Sequence, residues 1–255
     1  MKAKLLVSLI GTMLIGLSLV QVADAISPTY KYKVAKVSDG GIIKGVVKFE
    51  GQVPEMKKIE ANKDPEVCGV TQKYEETVIV GENNALKNVI VYLADISKGD
   101  DFPKDKPYEI DQKGCQFIPH VQVVPVGEKL TMLNNDGILH NVHAHGKPEN
   151  KNELNVAQPK FRKKLPLSLG APEVGVRITC DAHSWMGGWV AIMPHPYYAI
   201  TNEKGEFEIK NVPAGTYKLA YWHEYCGTNE KEPMSVEVTA GGTTTQDLTL
   251  KKAEE

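Results

Sequence analysis

Apolar and polar residues alternate in short runs along most of the chain, and Gly, Pro, Asn and Asp separate the runs. The first set is GIIKGVVKFEG (41–51), NVIVYLAD (88–95), VQVVPVGEKLTMLNN (121–135), GVRITCD (175–181) and GWVAIMP (188–194). The second is GEFEIKNV (205–212), GTYKLAYWHE (215–224), MSVEVTAGG (234–242) and TTTQDLTLKK (243–252). A period of two puts successive side chains on opposite faces of a strand, so the pattern predicts an all-β sandwich or barrel. No stretch carries the period of a long amphipathic helix. Residues 147–172 are polar and contain Pro, and are expected to form a long loop with little regular structure. There is no internal repeat and no low-complexity tract.

A domain boundary is expected near MPHPYY (193–198). Beyond it the chain reads as a strand, a turn at Asn202 to Gly205, a strand, a turn at Pro213 to Gly215, and a third strand. Phe207 and Ile209 share one face, and Tyr217, Leu219 and Tyr221 share another. The expected division is therefore 26–196 for a first domain with an N-terminal extension and 197–255 for a small second sandwich.

The first 25 residues change the picture of where the protein works. Lys2 and Lys4 precede an apolar run from Leu5 to Val20, and Ala23-Asp24-Ala25 is a small-residue cleavage site. This is the pattern of a secretory signal peptide, and the run is shorter than the roughly 20 residues of a spanning helix. The expected product is periplasmic or secreted, with no integral membrane segment after cleavage. The whole chain has 30 basic and 32 acidic side chains; without Lys2, Lys4 and Asp24 these become 28 and 31, a net charge of −3. That balance argues against nucleic acid as a partner.

Chemistry concentrates in two segments. In ITCDAHSWMGGWV (178–190), Cys180, His183 and Met186 offer a thiolate, an imidazole and a thioether straight after a strand. In LNNDGILHNVHAH (133–145), a strand ends at Asn134-Asn135, Asp136-Gly137 makes a turn, and His140 follows. Neighbouring strand ends would place His140 beside the Cys180 loop. Two imidazoles and one thiolate with a weak axial thioether are the ligand set of a blue-copper electron-transfer site. A buried thiol with unrelated neighbours is the plain alternative, and structural zinc seldom uses Met.

NNDGILHNV is similar to the first copper-ligand segment of plastocyanins, and CDAHSWM resembles the short Cys-x-x-His-x-x-Met loop of amicyanin-type cupredoxins. The resemblance spans roughly residues 88–196. It implies a cupredoxin-like Greek-key β-sandwich with one mononuclear type 1 copper held by His140, Cys180, His183 and Met186. It also implies that the backbone N–H of Asn141 bonds the thiolate. Residues 197–224 resemble a carboxypeptidase regulatory-like (transthyretin-like) β-sandwich module, T-N-x-x-G-x-F-x-I-x-x-V-P-x-G-x-Y-x-L, which implies no peptidase.

The expected function is transfer of single electrons between protein redox partners, with no enzymatic activity and with His183 near an exposed end as the electron exit. A periplasmic Cu(I) carrier or storage protein is the rival reading. A multicopper enzyme would need several His-x-His motifs, and the chain has one, His143-Ala144-His145. An adhesion module with incidental copper is a third reading. His143 and His145 share one strand face, either as a second metal site or as solvated histidines. His195 and His223 read as structural, as do Trp189 and Trp222; His120 reads as structural or as a further ligand of the His143–His145 site; Trp185, inside the ligand loop, is placed near the metal. Cys68 and Cys115 are the expected disulfide in an oxidising compartment, leaving Cys226 free or joining two chains, with other pairings of Cys226 open. KFRKK (160–164) reads as solvated charge or as a docking patch for an acidic partner.

Overall fold

The computed structural model describes residues 30–254, so the leader expected over residues 1–25 lies outside the described residues. The regular structure of the described residues is nearly all β-strand, and the four larger sheets stack with three apolar layers between them. At one end, Gly41–Phe49 pairs antiparallel with Glu206–Val212 and parallel with Thr243–Thr245 and Leu248–Leu250. The next sheet holds Tyr198–Ile200, Ile90–Leu93, Gly215–His223 and Met234–Val238. The third runs Leu154–Gln158, His140–His145, Glu173–Thr179, Gly187–Met193 and Val121–Pro125. The last joins Lys164–Ser168, Lys129–Asn134, Glu109–Gln112 and Phe117–Ile118.

Period-two alternation explains the stacking. In the second sheet Val89, Val91 and Leu93 face a core shared with Ile43, Val47, Phe207, Ile209 and Leu219. Ile90 and Tyr92 point the other way, against Val121, Val123, Ala191 and Met193 of the third sheet. In that third sheet Val190 and Ile192 turn to the opposite core, with Ile110, Leu130, Met132 and Val176. The two middle sheets are thus covered on both faces, which is why NVIVYL and GWVAIM are almost continuously apolar. Trp222 seals the contact between the sandwiches: its ring lies 4.9 Å from that of Trp189. Gly175 (φ +84°) leaves it room, since a Cβ there would come within 2.5 Å of the Trp222 indole nitrogen.

Three expectations are corrected. The expected division places segments 41–51 and 88–95 in the half before residue 197, but they hydrogen-bond with strands after it, as in Phe207↔Gly45 and Leu219↔Leu93. The second sandwich is therefore built from both ends of the chain. Residues 147–172 are not irregular: Leu154–Gln158 and Lys164–Ser168 are strands. Both are edge strands: the first buries the polar Gln158, and the second carries Pro166, which an edge tolerates. The run 121–135 is two strands broken at Gly127 (φ +86°), and they belong to different sheets.

Candidate metal centre

The turn in NNDG delivers His140. Asn134 is fully buried; its side-chain oxygen accepts the Gly137 N–H (3.1 Å) and its amide donates to the Ile138 carbonyl (2.9 Å). Gly137 takes φ +69°, a left-handed conformation that glycine adopts without strain. Gln158 donates to the Met132 and Arg162 carbonyls (both 3.0 Å) and accepts from Gln112, joining the last two sheets beside this turn. Cys180 follows the end of Glu173–Thr179 and continues the buried side of Val176 and Ile178. Two tight turns then bring round His183 and Met186: His183 N donates to the Cys180 carbonyl (3.2 Å) and Met186 N to the His183 carbonyl (3.0 Å).

These elements bring three donor atoms together. His140 Nδ1 and His183 Nδ1 are 3.0 Å apart, and each is 3.8 Å from Cys180 Sγ. An ion about 2.0–2.1 Å from two imidazole nitrogens and about 2.3 Å from a thiolate would hold its donors about 3–4 Å apart, so the triangle fits one first-row transition ion. All three residues are buried. Met186 is also buried, in the same apolar cluster as Cys180. Asn141 N donates to Cys180 Sγ at 3.3 Å, as the resemblance implied.

Each histidine is held from behind. His140 Nε2 bonds Asp136 Oδ2 (2.8 Å), and His183 Nε2 bonds Asp64 Oδ2 (2.8 Å). With Nε2–H donated, the tautomer presents the Nδ1 lone pair, the orienting role that carboxylates play behind metal-bound histidines. Asp136 itself accepts N–H groups from Gly114 (2.5 Å) and Cys115 (2.8 Å). Burial alone would raise the Asp136 carboxyl, but bonds from His140, Cys115 and Gly114 hold it below its ordinary value. Burial opposes the charged form of His140 too, yet the bonds to Asp136 and Cys180 push it up to about 8. For Cys180, burial is outweighed by hydrogen bonds from His140, Asn141 and His183, which lower the thiol. Burial lowers His183, with Asp64 opposing.

Asp64 and Asp136 are the functional residues that the sequence reading missed. Asp136 had a signal, four residues before His140 in the quoted turn. Asp64 had none beyond preceding the short helix Pro65–Cys68. It reaches the site because Cys68 and Cys115 form a disulfide, Cα–Cα 5.2 Å, across 47 residues. The disulfide sulfurs lie within 4.8 Å of a His183 ring nitrogen. This corrects the expectation that His183 sits at an exposed end: its exposure is 0%, because the N-terminal segment and the disulfide cover it. Trp185 packs with its ring centroid 5.2 Å from that of His183 and donates to the Cys115 carbonyl (3.2 Å).

The other histidines are not brought here. His120 lies between Glu224 (2.5 Å) and Glu76 (3.6 Å). His195 and His223 are buried, and burial lowers each to about 4. His143 and His145 lie further along the His140 strand, on its outer face. Cys226 is a buried free thiol pushed up to about 12 by burial. Within KFRKK, Phe161 is 82% exposed.

Comparison with solved structures finds likeness to copper proteins over about a third of the chain. A Cu(I) form of an amicyanin variant matches at 19% identity and a TM-score of 0.31, covering 36% of this chain and 87% of that one. A fern plastocyanin variant matches at 12% identity and 0.30, covering 33% and 99%. The copper-containing nitrite reductase of Thermus scotoductus SA-01 matches at 18% and 0.29, with 36% of this chain spanning only 23% of that one. Among curated proteins nothing matches. Residues 182–246 match a family model described as polysaccharide lyase family 4, domain II, in place of the expected carboxypeptidase regulatory-like module. That match begins inside the Cys180 loop and ends in the second sandwich. Among the described residues no helix is long and apolar enough to cross a membrane. The likeness to these copper proteins is partial, and the case for the chemistry of this all-β chain rests on the donor geometry.

Proposed function

We propose that the protein is an exported carrier of single electrons, not an enzyme, with one mononuclear type 1 copper held by His140, Cys180, His183 and axial Met186. The observation that supports this most is the triangle of His140 Nδ1, His183 Nδ1 and Cys180 Sγ, with both outer imidazole nitrogens already taken by carboxylates. A bound copper ion would supply the Cu(II)/Cu(I) couple, which takes up and gives back one electron. The residues of the chain do the rest. Asp64 and Asp136 fix the two rings, the Asn141 N–H stabilises the thiolate charge, and burial keeps water from the donors. A set held from behind in this way moves little when charge changes, which suits fast electron transfer with protein redox partners.

The complete burial of both imidazoles favours the second reading, a carrier or store of Cu(I), because no ligand edge faces solvent. One experiment separates the two. The protein is loaded with Cu(II), and its visible and EPR spectra are compared with those of Cys180→Ser. A strong thiolate-to-copper band with narrow hyperfine splitting, absent from the variant, is the expected result. A colourless protein that holds Cu(I) tightly would refute the electron carrier and support the store.

A further inference from the structure

We propose that His143 and His145 form a second, surface metal site for a hydrated divalent transition ion, best suited to Cu(II), with Asp181 and Thr179 orienting the two imidazoles. The two side chains leave the same face of the strand His140–His145, and their rings stack with centroids 4.0 Å apart. Each ring is tethered by one nitrogen. His143 Nδ1 bonds Asp181 Oδ1 at 3.0 Å, and His145 Nε2 bonds Thr179 Oγ1 at 2.8 Å. His143 Nε2 and His145 Nδ1 have no protein partner among the described residues. One nitrogen held by an oxygen and the other free is the arrangement that prepares a histidine for a metal.

The surroundings support a cation. Asp181 is held by Asn155 Nδ2 (2.8 Å), and its side chain is 52% exposed. Glu153 adds a second negative charge near His145, against one positive neighbour, Arg177. The rings lie face to face, so closing both free nitrogens on one ion takes a rotation of the exposed His145 side chain, a fast motion at a surface. Paired imidazoles with water completing the shell favour Cu(II) over the other first-row divalent ions. No thiolate contributes, so this copper would be nearly colourless and would show wide hyperfine splitting, unlike a buried thiolate centre.

The test is a Cu(II) titration of the full chain, followed by EPR and equilibrium dialysis, beside His143→Ala and His145→Ala. Circular dichroism confirms that the variants fold. In the parent, one equivalent beyond any taken up by the buried centre should give the wide-splitting signal. Each variant should weaken that class of site about tenfold or more and leave any other class unchanged. Equal stoichiometry and affinity in all three proteins would overturn the proposal. So would sensitivity to one histidine only, which would mark a single adventitious ligand. The comparison is between variants, so it reads out whether or not the buried centre binds copper.

Discussion

Replacing Asp136 by Ala tests the buried centre most sharply, because one side chain supports both its geometry and the fold around it. The Asp136 side chain is 4% exposed and accepts from His140 Nε2, Gly114 N and Cys115 N. Removing it leaves three donors without an acceptor. At about 1 kcal/mol each, the loss is about 3 kcal/mol. Metal affinity should fall about 10- to 100-fold, the usual cost of losing the partner behind a metal-bound histidine. Urea unfolding of the metal-free chain and a competition titration with Cu(II) measure the two quantities. The pH dependence adds a signature. Asp136 is held below its ordinary value of 3.8, so its contribution is present above that value and fades as pH falls through the lower folded one. His140 is raised from 6.5 to about 8, so its contribution is full below 6.5 and fades as pH rises through about 8. The stability gap between parent and variant should therefore be widest between those limits. A gap under about 0.5 kcal/mol with unchanged copper affinity would refute the orienting role of Asp136.

Further outcomes follow from the same contacts. Cys115→Ser opens a link across 47 residues, expected to cost about 4 kcal/mol in the chain-entropy model and to make His183 modifiable by diethyl pyrocarbonate in the metal-free chain. An unmodified His183 in that variant would show that Asp64 stays in place without the disulfide. A chain ending at residue 196 removes the antiparallel partners of Gly41–Phe49 and Ile90–Leu93, so it should aggregate; a soluble monomer with native near-ultraviolet circular dichroism would contradict the sheet pairing. Cys226, pushed up to about 12, should resist alkylation at pH 8 until the protein unfolds, as peptide mapping would show; rapid labelling of the native chain would overturn that.

Much of the strand content was legible because alternation is a local property: Phe207, Ile209, Leu219 and Tyr221 can be assigned to faces from their neighbours alone. The donor residues were legible for a related reason. Cys180, His183 and Met186 share one loop, and His140 follows a recognisable turn, so short segments carry the chemistry. Edge strands at 154–158 and 164–168 were not legible, because the buried position of the first is the polar Gln158 and the second carries Pro166.

The sequence by itself determined the all-β class, the soft donor set and the turn that presents His140; the structure settled the Cys68–Cys115 disulfide against the pairings with Cys226 that the sequence left open. Only the tertiary structure decided that both ends of the chain build the second sandwich, and that Asp64 closes over His183. Those outcomes depend on pairings such as Gly45 with Phe207 and His183 with Asp64, more than a hundred residues apart. A local hydrophobic period sets which face of a strand is buried but carries no information on which distant strand or loop will cover it.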